Sequence, residues 1–199
     1  MQKSYFQDSF TLKKELDPQR IPSNTRLFIC EDTSMYTNIK TGPALHRIGQ
    51  FSLKKKEHLT VPPTVLMDAL RLLMTNNVFQ FGDTYWIQKL GTSMGVQPAQ
   101  PWDSIFFGIH EETVLAIFGQ KLQLYRYFIK DVLGIWLVDT DLVEDFQQWT
   151  SFVELIQDYY WLEWIFVKRL KKVNYMDMRI LIRENWIITM LYEKSMKLY

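Results

Sequence analysis

The sequence predicts an α+β fold: a mostly antiparallel sheet with helices packed on one face. Three observations lead there. Two pairs of apolar runs are separated by two-residue gaps, Gly82-Asp83 and Lys130-Asp131, which is hairpin spacing. Met178, Ile180 and Ile182 alternate with Asp177, Arg179 and Arg183, the period of a half-buried strand. Between these lie longer apolar stretches with the 3.6-residue period of helices.

Taken in order, residues 1–25 are polar and mixed and predict an arm or partial helix. Leu27-Phe28-Ile29-Cys30 is an apolar run ending abruptly in Glu31-Asp32, so a buried strand delivers two acids at its tip. Residues 40–61, rich in Lys, predict a loop or short helix. Pro62-Pro63 then opens a helix, since proline is tolerated in the first turn. Leu66, Ala69, Leu70 and Leu73 form its inner stripe, and Asn76-Asn77 ends it. Val78 to Phe81 and Thr84 to Gln88 make an aromatic hairpin. A Gly/Pro-punctuated loop over 91–101 leads into a helix from Trp102 to Phe118. Leu122–Ile129 and Val132–Val138 form a second hairpin, with Lys130-Asp131 at its tip. Residues 141–158 are helical, with Val143, Phe146, Trp149, Val153 and Ile156 inward. Ile187–Tyr192 pairs with the alternating strand across Glu184-Asn185.

The bulk numbers narrow the function. With 199 residues, 47% of them hydrophobic and 23% charged, the chain suits one ordinary domain with a real core rather than disorder. A net charge of +1 gives no global basic field. Local basic clusters occur at Lys54–Lys56 and at Lys168, Arg169, Lys171 and Lys172; the plain reading of each is a solvated face. The single Cys30 excludes an internal disulfide and fits a reducing compartment. A polar start without a secretory apolar region, and no apolar run near the roughly 20 residues that span a bilayer, predict an intracellular chain, cytoplasmic or nuclear, without a membrane partner. His46, His58 and His110 show no metal spacing with one another or with Cys30.

Acids from separate strand ends, here Glu31-Asp32 and Asp131, are what a two-metal phosphoryl-transfer site requires, although such acids are more often solvated turn residues. Their neighbours sharpen this. Thr33-Ser34-Met35-Tyr36-Thr37-Asn38-Ile39 resembles the first palm motif of Penelope-like, non-LTR type reverse transcriptases, in which the catalytic Asp lies five positions before the Tyr. Phe79 to Trp86 resembles the aromatic hairpin before that family's second motif. The motif itself, Gly-Thr-Ala-Met-Gly in the family, is matched by Gly91-Thr92-Ser93-Met94-Gly95. The third motif, an aromatic residue, Ile and two Asp, is matched in part by Phe128-Ile129-Lys130-Asp131. Leu162-Glu163-Trp164, Val173 to Asp177 and Leu191 to Lys194 resemble later palm strands.

The resemblance covers about residues 20–199 and implies a palm-type sheet over 26–199, cut short at its C-terminus, with 1–25 an arm or a remnant of the fingers. It implies an RNA-directed DNA polymerase acting on an RNA template, a DNA primer and deoxynucleotides with Mg2+ or Mn2+. Glu31 by spacing, or Asp32 if one residue has been deleted, would serve with Asp131 as catalytic metal ligands. Tyr36 would exclude a 2′-hydroxyl, while Gly91 and Gly95 would admit nucleotide and template to the loop backbone. Lys168, Arg169, Lys171 and Lys172 would meet nucleic-acid phosphates.

The departures imply impaired catalysis. Lys130 stands where the family has its first Asp of the pair, exchanging an oxygen ligand for a cation. At about 4 Å and an effective dielectric near 20, a unit-charge pair is worth roughly 4 kcal/mol, doubled for a divalent ion. Glu31 in place of Asp displaces a carboxylate by a methylene, and magnesium tolerates poor geometry badly. A decayed or co-opted binding domain is therefore a second expectation, and an unrelated α+β interaction domain with an aromatic interface a third.

Overall fold

The computed structural model describes residues 8–33, 35–93, 97–128, 131–157, 164–169, 171–176 and 178–192. In chain order the elements are α1 Ser9–Leu16, β1 Thr25–Asp32, α2 Met35–Asn38, α3 Thr41–Lys54, a short 3-10 turn Lys56–His58, α4 Pro63–Thr75, β2 Val78–Phe81, β3 Thr84–Ile87 and α5 Ala99–Phe118. There follow β4 Leu122–Phe128, β5 Asp131–Leu137, α6 Leu142–Gln157, β6 Trp164–Arg169, β7 Lys172–Tyr175, β8 Met178–Ile182 and β9 Ile188–Tyr192. The α+β expectation is met, with every pairing between these strands antiparallel.

The chain divides into two compact units. The first is Met1–Asp32, Val114–Ile156 and Trp164–Tyr199; the second is Thr33–Thr113 and Gln157–Glu163. A four-stranded sheet of order β4-β5-β1-β6 and a three-stranded sheet β7-β8-β9 form the first unit. Alternation along β1 puts Leu27, Ile29 and Glu31 on one face and Phe28, Cys30 and Asp32 on the other.

Both faces of that sheet are covered. On the Leu27 face, Leu133 and Ile135 pack with Leu12 and Leu16 of α1 and with Val173, Tyr175, Met178, Ile180, Ile188 and Met190 of the smaller sheet. Of the arm or partial helix expected here, the structure has a helix over Ser9–Leu16, with Leu12 and Leu16 seated in the core. Asp8 caps it by accepting from the Thr11 N–H at 2.7 Å, and Glu15 pairs with Arg126 of β4. Two leucines four residues apart suffice to bury one side of two turns, a signal too short for periodicity to find in a polar stretch.

On the Phe28 face, the rings of Phe28, Trp136, Trp149 and Phe152 stack edge to face or tilted, with centroids 5.3–5.4 Å apart. Helix α6 starts where Asp141 accepts from the Val143 and Glu144 N–H groups at 2.9 and 3.2 Å. Its inner stripe corrects the sequence expectation. Val143 and Phe146 are each 68% exposed, and the first inward residue is Asp145, buried because it accepts from the Trp136 indole N–H at 2.8 Å and the Asp139 N–H at 3.2 Å. Lys121 lies 3.7 Å away and also pairs with Asp139. Asp145→Ala removes the acceptor of two buried donors, so a loss of about 2–3 kcal/mol is expected. Urea titration checks it: the midpoint should fall with the slope unchanged.

In the second unit, of the loop or short helix expected over residues 40–61, the structure has the helix, 14 residues long. Pro43 falls in its first turn, where no helical N–H is needed, and Ala44, Leu45, Ile48 and Ser52 make a buried stripe. Gly49 faces Met67 of α4, whose Cε lies 3.5 Å from where a Cβ would stand. Helix α4 ends at Asn76 as expected. Its inner face is turned by one residue: Leu66, Met67, Leu70 and Met74 point inward, while Ala69 and Leu73 are exposed. The aromatic hairpin β2–β3 turns on Gly82, whose φ of +61° suits the first turn position. All eight of its strand residues are exposed.

Candidate functional site

Register decides which acids meet. In the β1–β5 ladder Glu31 lies directly opposite Asp131, and Asp131 is also opposite Phe128 in β4. Directly opposed residues have Cα atoms about 4.5–5.5 Å apart and side chains on one face. Asp131 is thus the first residue of β5; residues 129 and 130 lie outside the described residues. Asp32 falls on the opposite face of β1, wholly buried, while Glu31 is exposed. Of the two acids proposed for the first strand, alternation brings Glu31, and not Asp32, beside Asp131.

The environment of Asp131 is only partly open. Tyr175 of β7 donates its phenolic hydrogen to the Asp131 main-chain oxygen at 2.8 Å. Burial first, then the Asp131 charge, then Cys30, push the Tyr175 hydroxyl well above its ordinary range, so it stays a donor. Burial and then the Asp131 charge push the Cys30 thiol up as well. Cys30 is a buried structural thiol, the expected default. Tyr175 carried no role in the sequence; the only clue is the alternation of Val173 and Tyr175 with exposed neighbours.

A two-magnesium centre takes one or two carboxylates for each ion, together with water and substrate phosphates. Among the described residues no three His, Cys, Asp or Glu side chains gather closely enough to hold a metal ion. Glu31 and Asp131 make two carboxylates, and the next position in sequence is Lys130. These two carboxylates are what the described residues offer toward the ions that the resemblance implies.

The remaining candidates are placed as follows. Tyr36 sits half-buried in the four-residue helix α2. Its carbonyl accepts from the Thr92 N–H at 2.5 Å, and Thr92 Oγ1 donates to Asp103 at 3.1 Å. Gly91 has φ +75°, and a Cβ there would lie 2.6 Å from the Tyr36 oxygen and 2.8 Å from Thr37 Cα. The first and second motifs are thus pressed backbone to backbone, which by itself requires glycine at 91. Gly95 lies outside the described residues. Lys168 and Arg169 end β6 opposite Phe28 and Leu27, three and four positions along β1 from Glu31, or roughly 10–13 Å. Their side chains lie outside the described ones. Lys171 and Lys172 are exposed, with the Lys171 ammonium 5.5 Å from the Trp186 ring centroid.

No family model and no curated protein matches this sequence. Solved structures do match in fold. Apo telomerase from Candida tropicalis, truncated from its C-terminal domain, aligns with a TM-score of 0.67 and 11% identity over 96% of this chain and 41% of that one. Telomerase from Candida albicans in complex with a TWJ fragment of telomeric RNA gives 0.70 and 10% over 94% of this chain and 35% of that chain. The RNA-dependent RNA polymerase of BmCPV at its elongation state gives 0.61 and 11% over 79% and 16%. The chain therefore spans less than half the length of these proteins and has the palm-like fold that nucleic-acid polymerases share. Among the described residues, no helix is long and apolar enough to cross a membrane.

Proposed function

We propose that this chain is the palm of an RNA-directed DNA polymerase of the Penelope-like, non-LTR retroelement type, one that engages template and primer but no longer extends them. The observation that carries this reading is the pairing of Glu31 with Asp131 on one face of a polymerase-like sheet. Glu31 and Asp131 are the surviving acids of the site, and Tyr36 keeps only the sugar-gate part that the resemblance implies. Lys171 and Lys172, with Lys168 and Arg169, supply phosphate contacts, so binding should weaken as salt rises. Telomerase solved with telomeric RNA supports an RNA partner. The loss of extension is read from the sequence, where Lys130 stands at the position at which the family has an Asp.

The second reading is a co-opted domain that binds nucleic acid or protein without catalysis. The exposed aromatics of β2–β3, with Phe81 75% and Tyr85 74% accessible, favour it.

Primer extension separates these from an active enzyme. With DNA-primed RNA template, deoxynucleotides and Mg2+ or Mn2+, no extension above background is expected, while salt-sensitive binding of the primed template persists. Robust extension abolished by Asp131→Asn would overturn the reading. Absence of any template binding would favour a protein partner instead.

The same reasoning predicts a gain. Lys130→Asp combined with Glu31→Asp restores two residues of the family's motifs, and the two changes should be coupled if both contact the same ions. At a metal concentration 100 times the dissociation constant, the double variant should gain about 2.7 kcal/mol of stability over its metal-free form. Thermal shift under manganese titration reads this; a response no larger than the parent's would mean that these two positions do not silence the site.

A further inference from the structure

Phe128 and Asp131 flank the turn of the β4–β5 hairpin and face each other across its neck. One hydroxyl, from Tyr175, 44 positions beyond Asp131, donates to the Asp131 main-chain oxygen at 2.8 Å. The ring behind that hydroxyl is fixed. Tyr175 is 3% exposed, lies on β7 opposite Met178, and packs among Leu133, Met178 and Ile180. Its whole three-stranded sheet is tied to the body of the unit by the Arg20–Ile187 bridge and by the Lys13 ammonium, which donates to the Met190 oxygen at 2.5 Å.

The pairing of 128 with 131 needs no such brace, because the ladder itself supplies it. What the phenol adds is a fixed position for the neck relative to the smaller sheet. A phenylalanine would fill the same space, so packing alone does not require the oxygen.

We propose that Tyr175 is a positioning residue: its hydroxyl clamps the neck of the β4–β5 hairpin, so that the β7-β8-β9 sheet sets where Asp131 stands beside Glu31. This rests on the proposed polymerase reading only for its purpose, since the acid pair is the site being positioned. The clamp itself is a property of the fold. Load on the smaller sheet, such as a strand of nucleic acid lying against exposed Lys171 and Lys172, would be transmitted to the acid pair through one hydrogen bond.

The test compares the full chain with Tyr175→Phe and with p-aminophenylalanine at position 175, which returns a donor to the ring. Amide hydrogen exchange is read at Phe128 and Val132, thermal stability by calorimetry, and binding of a DNA-primed RNA template by anisotropy. For Tyr175→Phe, exchange at the neck should quicken about tenfold, the scale of one net hydrogen bond, with slow exchange elsewhere in β5 and β8 preserved. Template affinity should fall several-fold, and p-aminophenylalanine should restore both. Unchanged exchange at the neck would overturn the clamp. So would faster exchange spread through β5 and β8 with a large drop in melting temperature, because Tyr175 would then be a core residue only. A loosened neck in a chain whose parent binds no template supports the clamp and refutes the polymerase reading, so the two failures are distinguishable.

Discussion

Gly134→Ala is expected to destabilise the chain by about 3 kcal/mol, at the upper end of what overpacking costs in a filled core. Gly134 lies in β5 between Phe28 of β1 and Tyr125 of β4, and the Phe28 ring covers it. A Cβ there would stand 2.0 Å from Phe28 Cζ and 2.2 Å from Cε1. The end of a side chain can often swing aside, but Phe28 is wholly buried and held by Trp149 and Phe152. For a chain of this size the loss corresponds to a melting temperature lower by about 6–12 °C. Phe28→Ala alone should cost about 3–5 kcal/mol through its cavity. In the double variant the new methyl occupies part of that cavity, so the two losses should sum to less than their separate values, with a coupling of about 0.5–3 kcal/mol. Strict additivity in calorimetry would mean that Phe28 and Gly134 do not share this space.

Gly91→Ala should be as damaging for a different reason. Here the obstruction is main chain: the Tyr36 oxygen at 2.6 Å and Thr37 Cα and oxygen at 2.8 Å. The left-handed φ adds about 1–2 kcal/mol of its own. Gly82→Ala supplies the control, because Gly82 shares the left-handed φ, at +61°, and has nothing within 4 Å of its would-be Cβ. The expected result is a loss of about 1–2 kcal/mol at 82 and more than about 3 kcal/mol at 91. Exchange of the Thr92 amide, which donates to Tyr36, should quicken only in the Gly91 variant. Equal losses at the two positions would leave backbone strain, and not contact with Tyr36 and Thr37, as the reason for glycine at 91.

What could be read from the sequence follows from where one face of an element meets water. Met178, Ile180 and Ile182 alternate because β8 buries one face, and Gly82 marks its turn because a positive φ excludes most other residues. Helix α4 defeats the same method: Val65, Leu72 and Leu73 are apolar yet exposed, so periodicity cannot tell which side Met67 and Met74 take. Asp145 is invisible to a hydrophobic pattern, because hydrogen bonds and not apolarity put it inside. For the acids, the sequence placed Glu31-Asp32 and Asp131 at strand ends and left open which of the first two serves. Only the β1–β5 register, a contact between distant segments, distinguishes Glu31 from Asp32. Tyr175 was out of reach for the same reason, its partners being 44 residues away in another hairpin.

The central position of β1 has a consequence for how the chain is made. Its two ladder partners, β5 and β6, are the segments Asp131–Leu137 and Trp164–Arg169, so β1 leaves the ribosome with neither neighbour in existence. At about 5–20 residues per second, roughly 100 residues of further synthesis hold it waiting for some 5–20 s. Helices α3 and α4 and the β2–β3 hairpin can form in that interval; β1, with Leu27, Phe28 and Cys30 bare, cannot. The sheet closes around its middle strand only once β5, and later β6, have emerged. An apolar segment exposed for that long is a natural binding site for a nascent-chain chaperone, and the first place where hurried synthesis would yield aggregate instead of protein.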